Sequence, residues 1–411
     1  MTLQYVERQS SCDGFTVTPG ARVAAAIEIL DSIEAGQAAE AALTRWARAS
    51  RFAGSGDRAA IRDYVYDGLR HWRSDACRGG GTTGRVRMIG RFRASGEDMA
   101  ALFDGVGHAP APLTPAEEEA GTPPETPGDV WDLPDWLVAE FQACLGDEAH
   151  QTAQALTDRA PVTLRVNTSL ADVAQVQAQL RTEGVETTPN PRADTALTVT
   201  AGPRRLRNAA SYLEGLVELQ DAASQAAIAG ISGTSTALDY CAGGGGKSLA
   251  LAARGWAVTA HDIDPTRMRD LPARAMRGQH EIALRATDEL NAADTFDLVF
   301  VDAPCSGSGT WRRTPQAKWT LTPERLADLM SIQAGVLDAA VPHVAPLGRL
   351  IYATCSVLAG ENIRQVNAFL ARHPDWRMDV SRHWPVDAWG DGFFVAHLAR
   401  TALSAPIESA T

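Results

Sequence analysis

The chain has 411 residues, 45% hydrophobic and 21% charged, a globular composition with room for two or three domains. No run of about 18 apolar residues occurs, so no membrane span is expected, and six cysteines without a paired CxxC argue against both a disulfide framework and structural zinc. A net charge of −12 weighs against a nucleic-acid partner on average, although a local basic face is compatible with an acidic body.

The N-terminus lacks the basic-then-apolar pattern of a secretion signal, which predicts a cytoplasmic protein. Residues 1–17 read as a loose tail. Thr18 has the chemistry of a helix cap, with Pro19 at the first helical position. Val23, Ile27, Leu30 and Ile33 recur at helical spacing, as do Ile61, Val65 and Leu69, so residues 18–105 are expected to form an all-α domain. Residues 106–128 are rich in Pro, Glu and Thr and predict a solvated linker. A helical and α+β subdomain is expected over 129–220, with helix around Trp136, Leu137 and Phe141, strands at 161–168 and 196–200, and a cationic loop, Pro203-Arg204-Arg205-Leu206-Arg207.

From about residue 221 strands and helices alternate. Candidate strands fall at 237–240, 257–260, 282–285, 298–301, 349–353 and 393–398, with helices at 248–254 and 325–343. This predicts an α/β domain over 221–411 built on a doubly wound parallel sheet, whose chemistry belongs at the carboxyl ends of its strands.

The first strand runs into Asp239-Tyr240-Cys241-Ala242-Gly243-Gly244-Gly245-Gly246-Lys247-Ser248. Glycines after a first strand let backbone approach a ligand in front of a helix N-terminus. A phosphate loop, GxxxxGK[ST], would need glycine where Cys241 stands, which leaves nucleoside triphosphate hydrolysis as a rival reading one residue short of its motif. The second strand ends at Asp262, placed to accept both ribose hydroxyls of a nucleoside. An acid before the glycines and a lysine after them suit a zwitterionic amino-acid tail better than a pyrophosphate, and point to S-adenosylmethionine. Asp288 follows the third strand where an adenine amino group would be held, and Arg267 is counted with the cofactor residues.

The fourth strand ends in Asp302-Ala303-Pro304-Cys305, the fifth in Thr354-Cys355-Ser356, and neighbouring strands would bring both cysteines to one edge. A zinc deaminase would need Pro-Cys-x-x-Cys, and Ser308 occupies the second cysteine position, so no metal is expected. The only lysines, Lys247 and Lys318, both lie in these motifs. Residues 310–319 carry Arg312, Arg313, Lys318 and two tryptophans, a set suited to phosphate contact and base stacking.

Together Asp239-x-Cys241-Ala-Gly-Gly-Gly-Gly-Lys247, Asp262, Asp302-Ala-Pro-Cys305 and Thr354-Cys355-Ser356 resemble the RNA cytosine-C5 methyltransferases of the Sun/RsmB type. Arg165-Val166-Asn167-Thr168, Gln220-Asp221-x-x-Ser224 and Asp391-Gly-Phe-Phe-Val395 look like further signatures of that family. The region around Asp57-Arg58 and Arg62 is similar to its NusB-like RNA-binding domain. Gly243 and Gly244 stand where alanine and proline are usual, a change that predicts a less preorganised turn.

The resemblance implies a Rossmann-like methyltransferase domain preceded by a small α+β RNA-binding subdomain and an all-α NusB-like domain. It implies Cys355 as the nucleophile that adds to cytosine C6, Cys305 as the group that assists product release, and Asp302 as the residue that holds the base. The cofactor set is then Asp239, Cys241, Ala242, Gly243, Gly244, Gly245, Gly246, Lys247, Asp262, Arg267, Asp288 and Asp302, and the RNA-binding set Arg165, Arg204, Arg205, Arg312, Arg313 and Lys318. The expected partner is RNA, ribosomal before transfer RNA, engaged by a monomer. A non-catalytic RNA-binding module is the alternative.

Overall fold

The computed structural model describes residues 17–231, 235–291 and 293–401, so nearly all of the tail expected over 1–17 lies outside the described residues. The chain divides into two units between Leu133 and Pro134.

The first unit is all-α, with helices Pro19–Glu34, Ala39–Ala49, Ser55–Arg70, Trp72–Gly79 and Gly84–Ser95 followed by shorter turns. Its first helix starts as expected: Thr18 Oγ1 accepts from the Ala21 amide at 3.2 Å, and Pro19 opens the first turn. Val23, Leu30 and Ile33 are buried with Ile61, Val65 and Leu69.

The segment expected as a solvated linker is part of this unit instead. It contains helices Pro115–Glu119 and Pro127–Val130. Arg85 bridges Glu117 at 2.7 Å, Arg93 donates to the Ala120 carbonyl at 2.6 Å, and the Thr122 amide donates to Cys77 at 2.9 Å. Its acidic run supplies counter-charge and acceptors to arginines on helix Gly84–Ser95, which composition alone does not reveal.

The second unit opens with helices Asp135–Leu145 and Ala149–Ala155 and a four-stranded antiparallel sheet. Its strands are β1 (Thr163–Val166), β2 (Glu186–Pro189), β3 (Ala196–Ala201) and β4 (Val217–Leu219), in the order β2-β3-β1-β4. Helix Val173–Thr182 covers one face through Val176 and Leu180, packed on Leu164, Val166 and Leu197. Neither β2 nor β4 was expected, because both are short and β2 reads Glu-Thr-Thr-Pro with no apolar alternation.

A seven-stranded sheet follows: β5 (Thr236–Asp239), β6 (Ala257–His261), β7 (Ile282–Arg285), β8 (Phe296–Asp302), β9 (Val344–Thr354), β10 (Trp376–Trp384) and β11 (Phe393–Arg400). The order is β10-β11-β9-β8-β5-β6-β7, parallel from β9 to β7, with β11 and β10 added antiparallel. This is the Rossmann-like doubly wound architecture expected for the domain. Alternation along β8 feeds two cores: Leu298 and Phe300 pack with Ile351 and Leu251 on one face, Val299 and Val301 with Leu337 and Phe369 on the other. A strand buried on both faces reads as a continuous apolar run, which is why it was legible. The unexpected β10 is an edge strand with mostly exposed residues and a register shift between Met378 and Val380. Between β5 and β8 the strand order reverses, and the carboxyl ends of β5, β6, β8 and β9 surround that switch point.

Asn167, just past β1, ties the two sheets' supporting elements together. Its buried Nδ2 donates to the carbonyls of Gly215 at 3.2 Å and Gly278 at 3.0 Å, while Oδ1 accepts the Ser169 hydroxyl at 2.6 Å. Asn167→Ala strips two buried carbonyls of their donor, a loss of about 1–3 kcal/mol. Calorimetry should register a Tm several degrees lower; an unchanged Tm would contradict this role.

Candidate active site

The turn after β5 is shaped by glycine. Gly243 and Gly245 have φ of +52° and +80°, and a Cβ on Gly245 would come within 2.3 Å of Leu271 Cδ1. The Ala242 amide donates to His261 and the Gly245 amide to Ala242, folding the turn over the end of β6. Asp262, buried there, receives the Gly243 amide at 2.8 Å and Arg267 Nη1 at 3.0 Å on Oδ2, and the Asp264 amide at 3.0 Å on Oδ1.

These residues fit a bound nucleoside. A carboxylate offers about four lone-pair directions, and among the described residues Asp262 Oδ1 accepts one bond. Arg267, its ion-pair partner, is largely exposed. Gly244 is exposed, so ligand and backbone can meet there. Asp288 lies exposed just past β7.

Asp239 is fully buried behind the turn. Oδ2 accepts the Ser248 hydroxyl at 2.6 Å, and Oδ1 has no hydrogen-bond partner among the described residues. Burial, with repulsion from Asp302, pushes its carboxyl up to about 7 despite Ser248 and Lys247. Cys241 is likewise held as a neutral thiol, raised by burial and then by the charges of Asp239, Asp302 and Asp262. It lines the turn as an apolar group packed against the core.

At the ends of β8 and β9 the chemistry-bearing groups converge. Asp302 pairs in register with Ala353, and the Ala303 amide extends the ladder to the Ala353 carbonyl at 2.9 Å. Lys247 Nζ lies 2.5 Å from Asp302 Oδ2 and 5.3 Å from the centre of the Phe393 ring. Burial would lower the Lys247 ammonium, but Asp302 by charge and hydrogen bond, with Cys355 and Asp239 adding, raises it. Lys247 is therefore a fixed cation within electrostatic reach of Cys355.

Cys305 Sγ and Cys355 Sγ are 3.4 Å apart. The hydrogen bond to Cys355 is the largest influence on Cys305; with burial and the charges of Cys355 and Glu361 it pushes that thiol well above its ordinary range. Either sulfur can donate in the hydrogen bond between them. Glu361, which the sequence reading did not single out, is buried among the residues flanking both cysteines.

The expected RNA-binding residues divide by burial. Arg165, Arg312 and Lys318 are buried, with their charged groups turned to partners inside the protein. Arg165 sits opposite Glu218 in the small sheet, and burial, opposed by Glu218, lowers its guanidinium to about 10. Arg312 Nε donates to Asp391 at 2.7 Å and Nη1 to the Asp387 carbonyl at 2.9 Å. Arg313, more open, reaches Asp391 and Asp221. Trp311 is fully buried, stacked on Phe141 at 6.1 Å, with Nε1 donating to the Ser306 carbonyl. This loop anchors itself inside the protein. Arg204 and Arg205 are exposed and remain available to a phosphate backbone.

Comparison with known proteins gives a consistent picture. Residues 231–399 match the family model for the 16S rRNA methyltransferase RsmB/F, and residues 133–204 match the ferredoxin-like domain of RsmF/B-like methyltransferases. The chain is 33% identical over 287 residues to ribosomal RNA small subunit methyltransferase B of Vibrio cholerae, covering 65% of each protein. Against the protein of the same name from Cronobacter sakazakii it is 32% identical, covering 66% of this chain and 67% of the relative. The chain thus spans about two thirds of the length of these relatives. A solved methyltransferase homolog from Pyrococcus horikoshii superposes with a TM-score of 0.58 at 21% identity, covering 67% of this chain and 100% of that one.

Asp239 makes stability pH-dependent with a defined sign. Burial pushes its folded carboxyl up to about 7, above the ordinary aspartate range near 3.8, so its contribution is present below that range and is lost as pH rises through 7. Asp239→Asn keeps an acceptor for Ser248 and removes the buried charge. The Tm of the variant minus that of the parent should therefore grow between pH 5 and pH 8, by at least about 2 °C. A pH-independent difference would refute the shift.

Proposed function

Because this chain belongs to the RsmB/F family of 16S rRNA methyltransferases, we propose that it methylates cytosine C5 in ribosomal RNA, acting as a monomer with S-adenosylmethionine. The observation that carries the proposal is the 3.4 Å approach of Cys305 and Cys355 from adjacent strand ends, beside the Lys247–Asp302 pair.

Cytosine C5 is a poor nucleophile until a thiolate adds to C6 and turns the ring into an enamine. Cys355 supplies that sulfur, with the Lys247 ammonium nearby. Asp302, bonded to Lys247, would accept from the exocyclic amine and hold the N3/N4 edge of the base. Cys305 lies within hydrogen-bond distance of the attacking sulfur; its thiol proton would pass to Cys355 as the C6–S bond breaks, and the Cys305 thiolate so formed would take the C5 proton. When bound, S-adenosylmethionine supplies the electrophilic methyl group. Asp262 and the backbone of 243–246 would hold its nucleoside and amino-acid ends, and Asp288 its adenine.

The target base must leave its stack to reach these strand ends, which favours a loop or an opened helix as substrate. Arg204 and Arg205 are the exposed cations of the predicted set and would take its phosphates. The triphosphatase reading loses ground to geometry: the lysine such a site needs on phosphate is committed to Asp302 at 2.5 Å. A non-catalytic RNA-binding module leaves the paired sulfurs unexplained. Among the described residues, no helix is long and apolar enough to cross a membrane.

Cys355→Ala should reduce transfer of labelled methyl groups to ribosomal RNA by at least about 10³-fold, the scale on which loss of a nucleophile acts, with cofactor affinity retained. Residual activity near the parent level would sink the assignment. Cys305→Ala should accumulate a covalent protein–RNA complex that survives denaturing electrophoresis. Accumulation only in the Cys355 variant would mean the two roles are exchanged.

A further inference from the structure

The two sulfurs sit on loops of different strands, and their spacing needs something to set it. Glu361 follows the loop after β9 and is fully buried. Its Oε1 accepts the Ser306 amide at 2.7 Å and Gln333 Nε2 at 3.0 Å. Oε2 accepts the hydroxyls of Ser306 and Ser356, each at 2.5 Å. Ser306 directly follows Cys305, and Ser356 directly follows Cys355. One carboxylate thus holds both cysteine-bearing loops at once.

We infer that Glu361 is the positioning residue of the cysteine pair, fixing the Cys305 loop against the Cys355 loop and setting the field in which both sulfurs lie. The inference rests on the reading of Cys355 and Cys305 given above, and it deepens that reading.

Several observations support it. The Glu361 main chain is held as well: Tyr352 donates its hydroxyl to the Glu361 backbone carbonyl at 2.6 Å. The next residue, Asn362, bonds the Thr354 hydroxyl at 2.5 Å and the Ser356 carbonyl at 2.9 Å. Burying a carboxylate is costly unless its lone pairs are filled, and four donors fill them here. All four are neutral, so hydrogen bonds satisfy the charge without cancelling it, and its field reaches Cys305. Serine and glutamine could be tied together by a neutral acceptor. A formal charge at this point adds something a neutral acceptor does not: it disfavours a second negative charge on Cys305 and keeps that group a thiol beside Cys355. The other ionisable groups around the pair are Lys247, Asp302 and the Tyr352 phenol.

Two substitutions in the full chain separate charge from reach. Glu361→Gln keeps the shape and removes the charge, and the serine hydroxyls can turn to accept its amide. Cys305 in this variant should be alkylated by iodoacetamide at pH 8.5 at least about threefold faster than in the parent, followed by peptide mass spectrometry. Glu361→Asp keeps the charge but is one methylene too short to span both loops. It should leave Cys305 alkylation slow while lowering kcat for RNA methylation about 10- to 100-fold, with KM for RNA within about twofold, as expected for a misplaced reacting group. Parent-like alkylation in Glu361→Gln together with parent-like kcat in Glu361→Asp overturns the inference. If either variant fails to fold, Ser356→Ala removes a single tie and should lower kcat at unchanged KM; a parent-like kcat there overturns it equally. A parent protein that transfers no methyl group to RNA would fail the functional reading, while the alkylation comparison would still decide the role of Glu361.

Discussion

The parallel pairing of β8 with β9 is the constraint on which the site depends. In that register Val301 faces Tyr352 and Asp302 faces Ala353, so both strands end together at the same edge. Three residues beyond Asp302 and two beyond Ala353 lie the two cysteines. A slip of one residue would exchange the faces of β9, driving Tyr352 out of its core and Ala353 into it. The cost of misplacing a buried tyrosine pins the register, and the register pins the sulfurs. Lys247 depends on the same edge, because its partner Asp302 is the last residue of β8.

Around that edge the protein keeps three buried carboxylates, and it satisfies each differently. Asp262 is met by main-chain amides and an exposed arginine. Glu361 is met by four neutral donors. Asp239 has only Ser248, and burial lifts its carboxyl to about 7. Against these acids stands Lys247, one of two lysines in a chain whose other side-chain cations are arginines and histidines. A compact ammonium can sit beside Phe393 and still reach Asp302, where a planar guanidinium would need a wider, forked partner.

Much of the catalytic domain was legible because its strands are buried on both faces and end in chemically unusual residues. Asp239, Asp262, Asp302, Cys305 and Cys355 all lie at such ends, and the structure brings Lys247, Asp302 and the cysteine pair together. What escaped has physical reasons. Strand β10 is a polar edge, β2 and β4 are too short for a period, and the acidic segment 106–128 folds by pairing with arginines distant in sequence. Glu361 carries no spacing signal, since its partners come from three separate stretches, at Ser306, Gln333 and Ser356. The burial of Arg312 and Lys318 in 310–319 was not legible for the opposite reason: sequence shows charge but not burial.

That loop shows what burial turns a basic, aromatic sequence into. Arg312 is locked on Asp391, and Trp311 is stacked against Phe141. Between this anchor and the cysteines runs a chain of short bonds. The Gly309 amide donates to the Cys355 carbonyl at 3.0 Å, and the Gly392 amide to the Gly309 carbonyl at 3.0 Å. Ser308 shares a hydrogen bond with Ser356 at 2.9 Å and accepts the Val357 amide at 2.9 Å. A Cβ on Gly309 would lie 2.3 Å from the Gly392 carbonyl oxygen, so the approach is as close as glycine permits. Buried ion pairs add little net stability over apolar packing, but losing one partner is costly. Their geometric fixity is therefore what the loop gains from them. The two arginines and Trp311 hold a wall against which the backbone of Cys355 is braced.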